Sequence, residues 1–282
     1  MRFAFKDQHF EFPTADCVFF GILNVTPDSF FDGGRFDAPE EALRHALCLQ
    51  EDGAHVIDVG GESTRPGAAV VSTSQEIARI LPVIRILKKE LGIPISIDTR
   101  KADVAGAALA EGAVIVNDIS GLMADARMAD VVASANAGLI LTHSRGEPST
   151  MQTHCNYRDV LEEVKRELCA RYQLAISRKI AADRIAFDLG IGFAKTREQS
   201  LALLRNLQLF TQHPISPALP ERPVMIGVSR KSFLGVGLDE RAPGTLAAEL
   251  WAYQQGARMI RTHDVGAIRR AIETFRAIRA GA

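Results

Sequence analysis

Short apolar runs rich in Val and Ile recur along the chain, each followed by a longer stretch in which apolar residues return every third or fourth position. The runs are VFFGILNV from Val18, HVIDVG from His55, ISID from Ile95, VIVND from Val114, LILTH from Leu139, IAFD from Ile185, VMIGVS from Val224 and MIRTH from Met259. Between them lie stretches such as PEEALRHALCLQEDG and SQEIARILPVIRILKKELG, spaced as one apolar face of a helix. Continuous apolar strands that each lead into an amphipathic helix predict a parallel sheet covered by helices. Eight such units fit the length and predict an α/β fold, a closed (β/α)8 TIM barrel. An open doubly wound sheet is the runner-up, but no GxGxxG follows an early strand. The segment FAFKDQHFEFP predicts a short N-terminal β-hairpin that closes the bottom of the barrel. The Pro-rich ISPALPERP from Ile215 reads as a loop entering the seventh strand, so a single domain is expected over residues 1–282.

Composition adds little to this picture but narrows the partners. The 282 residues are 47% hydrophobic and 24% charged, with a formal net charge of -1, an ordinary globular balance. No basic run stands out, which argues against general binding to nucleic acid or to a membrane surface. An anionic ligand must therefore be held by local groups. Cys17, Cys48, Cys155 and Cys169 show neither CxxC pairing nor a His spacing suited to zinc, and read as reduced, mostly packed thiols. MRFAFKDQHF carries charges where a signal peptide needs its apolar core, and no apolar run approaches the roughly 18 residues of a membrane span. A cytoplasmic protein is expected.

In a barrel the C-terminal ends of the strands converge on one face, where active sites sit. In order those ends carry Asn24 and Thr26, Asp58 with GGESTRPG, Asp98 with Thr99-Arg100-Lys101, and Asn117-Asp118. They continue with His143, Asp188, Ser229-Arg230-Lys231-Ser232, and Arg261 with His263. Helix capping explains a share of the Asp, Asn and Ser, but not Arg261, His263 or Lys231. GVSRKSFLG, as a strand ending at a helix start, gathers backbone N–H groups, a hydroxyl and two cations, a set suited to carboxylate or phosphate. The plainer reading is a capped helix with solvated basic residues. GGESTRPG reads either as a surface turn or as a mobile loop able to approach a ligand closely. Arg261 and His263, two apart on a strand, point to one side and could clamp a phosphate. Asp98, Asn117 and Asp188 sit where buried polar groups need partners. The amino-amidine edge of a flat heterocycle offers parallel N–H donors to one carboxylate, with Lys231 as the complementary cation. The residues thus predict a site for a planar nitrogen heterocycle carrying one or two anionic groups.

FGILNVTPDSFFDGG, GGESTRPG, SIDTRK, NDISG, HSRGEPSTMQ, DLGIGFAK, GVSRKSFLG and RTHDV, in this order between Val18 and Val265, closely resemble the dihydropteroate synthase family of bacterial folate biosynthesis. The resemblance implies a homodimeric barrel and a transferase that joins 6-hydroxymethyl-7,8-dihydropterin pyrophosphate to p-aminobenzoate, with Mg2+ as cofactor. Carried over to this sequence, it implies a pterin pocket of Asp98, Asn117, Asp188 and Lys231, with Asp188 on the amino-amidine edge. Asn24, Arg261 and His263 would hold the pyrophosphate, Asn24 also lying beside the Mg2+. Thr64 and Arg65 would come from a mobile loop. Lys231 and Ser232 would lie near the p-aminobenzoate carboxylate, and Phe193 would line an aromatic slot, with Phe30 and Pro66 arriving on the first two loops. Asp98, Lys231 and Arg261 are the expected catalytic residues. The implied chemistry is dissociative, with pyrophosphate leaving before the arylamine attacks. Sulfonamides, which mimic p-aminobenzoate, are expected to compete near Ser232 and Phe193.

Two departures from the family pattern stand out. Asp188-Leu189-Gly190 takes the place of Asp-Pro-Gly, and Ala194 that of a common Gly, while the liganding carboxylate is kept. Where the family has a methionine-rich wall after the fifth barrel strand, this chain has Thr142-His143-Ser144-Arg145, which predicts a more polar pocket side. Three competing readings stand beside the synthase. A pterin-binding methyltransferase would have no use for the SRKS and STRPG groups. A non-catalytic pterin-binding paralogue would not need every ligand position filled. The third is an unrelated phosphate-binding barrel enzyme.

Overall fold

A computed structural model describes residues 1–12, 17–26, 38–63, 71–212 and 221–281. Two short antiparallel strands, β1 (Arg2–Phe5) and β2 (Gln8–Glu11), form the predicted N-terminal hairpin. Eight parallel strands follow: β3 (Val18–Asn24), β4 (Val56–Gly60), β5 (Ile95–Asp98), β6 (Ile115–Asp118), β7 (Gly138–Thr142), β8 (Ile185–Asp188), β9 (Val224–Ile226) and β10 (Met259–Thr262). They close in the order β10-β3-β4-β5-β6-β7-β8-β9, so every apolar run picked out by its pattern is a barrel strand. The seventh is shorter than its run: the chain leaves the ladder after Ile226, and Arg230 then turns at φ +58.

Around the barrel lie α1 (Ala38–Glu51), α2 (Thr73–Glu90), α3 (Ala102–Glu111), α4 (Met128–Ser134), α5 (Val160–Ser177), α6 (Arg197–Arg205), α7 (Gln208–Thr211), α8 (Leu238–Gln254) and α9 (Val265–Ala280). Several start on residues whose side chains satisfy the first backbone donors. Ser72 and Gln75 form a capping box at α2, and Asp159 and Asp264 accept the first-turn N–H groups of α5 and α9.

Two apolar cores follow from the two-residue period of a strand. Ile57, Val59, Ile97, Val116, Leu139, Leu141 and Phe187 face outward under the helices. Val56, Ile115, Ile140, Ala186, Met225 and Met259 face inward and meet Phe3, Phe5 and Phe12. A side chain on Gly138, the first residue of β7, would lie 2.8 Å from Phe3 Cζ, so the glycine makes room for the ring. The hairpin therefore seals the end at which the strands begin, as its sequence suggests. Extending the inward register toward the other end brings Asp58, Asp98, Asn117, Thr142, Asp188, Gly227 and Arg261 to the open mouth.

Among the described residues no helix is long and apolar enough to cross a membrane. The four cysteines are free thiols, but only Cys17 is buried and Cys48 is exposed, so the expectation of mostly packed thiols does not hold.

Candidate active site at the barrel mouth

Arg261 reaches in from β10 and joins two carboxylates. Its Nε lies 2.5 Å from Asp58 Oδ2 and its Nη2 lies 2.6 Å from Asp98 Oδ2. Asn117 Nδ2 donates to the same Asp58 oxygen at 3.0 Å. Burial pushes the Asp98 carboxyl up to about 7 against the pull of the Arg261 guanidinium, with Asp58 adding repulsion. Arg261 loses some preference for its charge through burial, yet Asp58 and Asp98 hold it above the ordinary guanidinium range. Asp58 Oδ1 and Asn117 Oδ1 are buried without a hydrogen-bond partner. Buried acceptors of this kind call for donors, which an N–H-rich heterocycle supplies.

Asp188 closes the other side of the floor. Its Oδ1 accepts the Gly190 N–H at 2.7 Å. A Cβ on Gly227 would stand 3.7 Å from Asp188 Oδ2 and 3.8 Å from Arg261 Cβ, so this glycine leaves open the space between them. Burial raises the Asp188 carboxyl, while Lys231 and the Gly190 N–H draw it down. The Lys231 ammonium sits 3.8 Å from the Phe193 ring centroid and donates to Ile191 O, a cation–π arrangement. Burial lowers Lys231 to about 8 against the Asp188 charge. Asn24 ends β3, and its Oδ1 and the Asp98 carboxylate both flank Gly60, 3.6 and 3.7 Å from where a Cβ would be.

Lys195 fixes this wall from behind. Its buried Nζ, which burial and the nearby Lys231 push well below the usual lysine range, contacts Gly190 O and Phe193 O at 3.0 Å each and His143 Nδ1 at 2.9 Å. His143 Nε2 faces Glu167 Oε2 at 3.1 Å. Burial opposes ionisation of Glu167, but hydrogen bonds from His143 and Arg145 hold its pKa below the usual range. It is an acceptor only, so Nε2 carries the histidine proton and Nδ1 accepts from Lys195. Burial then keeps His143 neutral, down to about 3. Gly190 stands at φ +62, where a Cβ would fall 1.8 Å from His143 O, so only glycine fits this turn.

The predicted residues divide as follows. Asp98, Asn117, Asp188, Arg261 and, on the facing wall, Lys231 with Phe193 do gather at the mouth. Ser232 is exposed nearby. Thr64, Arg65, Phe30 and Pro66 lie outside the described residues.

Three expectations need correction. Ser229-Arg230-Lys231-Ser232 does not open an α-helix: Ser232–Leu234 is one 3-10 turn, and α8 begins only after Gly235 and Gly237. The argument for an anion at a helix N-terminus is lost there. Arg261 and His263 do not share a strand, because β10 ends at Thr262; in this structure Arg261 turns to the carboxylates, and His263 Nδ1 lies 2.9 Å from Ser229 Oγ. Of Thr142-His143-Ser144-Arg145, only Thr142 shares the inward register. His143 and Arg145 turn to α5, where Arg145 meets Glu163 and Glu167, and Ser144 lines an adjacent cavity of about 110 Å³ with Ile119, Met151 and Phe193. The polar change in the pocket is thus one hydroxyl, Thr142 Oγ1, buried without a partner.

Asp58 and Lys195 were given no role by the sequence. Asp58 stood at a strand end, and Lys195 inside DLGIGFAK, but nothing local shows that their partners are Arg261 and the Gly190 and Phe193 carbonyls.

Residues 20–263 match the family of pterin binding enzymes. The chain is 44% identical over 254 residues to the dihydropteroate synthase of Bacillus subtilis, covering 89% of this chain and 84% of that protein. It is 45% identical over 255 residues to that of Synechocystis, covering 88% and 85%. Among solved structures, Burkholderia cenocepacia dihydropteroate synthase complexed with 7,8-dihydropteroate aligns with a TM-score of 0.86 at 37% identity over 99% of this chain and 97% of that one. Xanthomonas albilineans dihydropteroate synthase with 4-aminobenzoic acid aligns with a TM-score of 0.86 at 37% identity, covering 94% of each chain. With the same barrel and residue identity over nearly its whole length, the chain belongs to the dihydropteroate synthase family of pterin-binding enzymes.

Proposed function

We propose that this chain, as one barrel domain over residues 1–282, condenses 6-hydroxymethyl-7,8-dihydropterin pyrophosphate with p-aminobenzoate to give 7,8-dihydropteroate and pyrophosphate. The observation that carries this reading is the floor of the mouth, where Asp58 and Asn117 each leave a buried oxygen without a partner and Asp188 Oδ2 borders the space left open by Gly227. A flat ring with parallel N–H donors satisfies them, and Asp188 takes its amino-amidine edge. The relatives' names favour the synthase over a methyltransferase or a non-catalytic paralogue.

In this reading the C–O bond to pyrophosphate breaks first and the leaving group keeps the electron pair. Asn24, Arg261 and His263 bind the departing anion and stabilise its growing charge, and Thr64 and Arg65 come from the loop after the second barrel strand. The remaining pterin cation is spread over the ring, and the Asp98 carboxylate stabilises it. The amine of p-aminobenzoate then bonds to the exocyclic carbon and sheds a proton that its new positive charge has made acidic. Lys231 and Ser232 hold the arylamine's carboxylate, and Phe193 packs its ring.

Magnesium fits this donor set. Among the described residues no three His, Cys, Asp or Glu side chains gather as a metal cage, and Mg2+ at phosphate sites commonly takes one or two protein oxygens plus waters and phosphate. Asn24 supplies such an oxygen. When bound, the ion would neutralise charge on the leaving pyrophosphate.

A homodimer, sulfonamide competition at Ser232 and Phe193, and a cytoplasmic location belong to the same proposal. The test is pyrophosphate release from the pterin substrate with Mg2+, with and without p-aminobenzoate. Release that requires the arylamine and yields dihydropteroate supports the reading; pterin binding without turnover overturns it.

A further inference from the structure

HSRGEPSTMQ ends in residues to which the proposed chemistry gives no part. Its last two open a 3-10 turn, Met151–His154, that follows β7, and both side chains turn toward the segment that carries Phe193. Met151 is buried and lines the small cavity beside the Phe193 ring. Gln152 is exposed, and its Nε2 donates to Gly192 O at 3.0 Å. That bond completes a row. Lys195 Nζ lies 3.0 Å from both Gly190 O and Phe193 O, and Lys231 Nζ donates to Ile191 O. Four successive carbonyls, from Gly190 to Phe193, thus each meet a side-chain nitrogen, and the three side chains come from three separate stretches of the chain.

We propose that Gln152 is a positioning residue for the arylamine, holding the Phe193 side of its slot in place through Gly192 O. The segment lies between β8 and α6, outside the strand ladder, and Gly190 and Gly192 stand at φ +62 and +83. Glycines leave many other conformations open, so the shape here depends on donors brought from elsewhere. The Gly192 carbonyl shares one rigid peptide plane with the Phe193 nitrogen, so a bond to that oxygen fixes the plane from which the ring hangs. A carbonyl accepts only, which makes the Gln152 NH2 the group that faces it. The base of Gln152 is itself anchored. Thr150 N–H and Met151 N–H both reach Glu147 O, at 2.9 and 2.7 Å, and Gln199 Nε2 on α6 holds Cys155 O at 2.8 Å. Gln152 meets only the Phe193 side of the segment. The Asp188 side has its own hold, the Gly190 N–H on Asp188 Oδ1. Loss of the Gln152 donor should therefore reach a ligand packed on Phe193 and spare a ring held by Asp188.

This inference rests on the reading of Phe193 as the wall against which p-aminobenzoate packs. Gln152→Met keeps the length of the side chain and removes its donor. Steady-state kinetics of this variant should show KM for p-aminobenzoate raised about threefold or more, the scale of one hydrogen bond. Its kcat, and its affinity for 6-hydroxymethylpterin measured by calorimetry, should stay at the wild-type values. Selective 15N-phenylalanine labelling reads the turn directly, with the Phe193 amide assigned by its loss in Phe193→Leu. That signal should move in Gln152→Met, because its nitrogen shares a peptide with Gly192 O. A wild-type KM, equal losses for both ligands, or an unmoved Phe193 signal overturns the proposal. Phe193→Ala keeps this failure apart from failure of the underlying reading. If it raises KM for p-aminobenzoate where Gln152→Met does not, the positioning role alone falls. If it leaves that KM unchanged, the slot lies elsewhere and both fall.

Discussion

Arg261 and Asp98 meet at 2.6 Å from strands that stand three places apart around the barrel, β10 and β5. Between them on β4, Asp58 takes the Nε edge of the same guanidinium. The cation is thus held by two acids before any substrate arrives. The two acids grip different edges of the guanidinium, Asp58 at Nε and Asp98 at Nη2.

Asp98→Asn tests what the second acid contributes. Asp58 still holds Arg261, so the melting temperature should move by only a few degrees, roughly the effect of 1 kcal/mol. Turnover should fall about 10²–10³-fold, the scale seen when a charge-stabilising group is removed. Steady-state kinetics beside thermal melts check this, and near-normal turnover would take Asp98 out of the chemistry.

Asp188→Ala leaves the heterocycle's N–H donors unpaired, at about 1–3 kcal/mol per group. Pterin affinity measured by calorimetry should fall at least about tenfold. Unchanged affinity would mean that the ring binds elsewhere.

The turn between Asp188 and Lys195 holds two positions of opposite tolerance. Gly190→Ala drives a Cβ to 1.8 Å from the His143 carbonyl and should unfold the wall or the whole chain. Ala194 is buried at φ +48, a conformation that costs a residue with a Cβ about 1–2 kcal/mol. Ala194→Gly relieves that strain and gives back roughly 0.5–1 kcal/mol in unfolded-state entropy, so its melting temperature should equal or slightly exceed the wild type. A clear drop would show that the Ala194 methyl packs more than it strains.

Acid should weaken the fold through His143. Burial, reinforced by Lys195, keeps its folded pKa at about 3, whereas an unfolded histidine titrates near about 6.5. Its contribution to stability is complete above the unfolded value and is lost as the pH falls from there toward 3, because only the unfolded chain takes up the proton. His143→Asn, although less stable at pH 7.5, should therefore show a shallower fall in melting temperature toward pH 5. Parallel slopes would refute the assignment.

The barrel was legible because strands buried on both faces read as unbroken Val and Ile runs, and each ran into a helical period. Asp98, Asn117 and Asp188 were legible for the opposite reason: polar residues ending such runs have no packing role. The hidden parts are those whose partners are distant or are backbone atoms. Asp58 finds its partner in Arg261, 203 residues away. Lys195 answers to carbonyls, which leave no trace in sequence. Glu249 lies on α8 and is buried, though nothing in its local sequence separates it from a solvent-facing acid. The SRKS turn misled because a strand followed by Ser and two cations looks like a helix start, and only the glycines at 235 and 237 delay the helix.

The stopper of Phe3 and Phe5 makes the barrel a blind alley. Among the described residues, the way to Asn117 and Asp188 lies at the opposite end, where the strands finish. A partner held further out, near the exposed Ser232, stands on that path. If the proposed sites are right, access fixes the order of traffic: a pterin at the floor must enter before the arylamine, and the joined product must back out with its arylamine end leading.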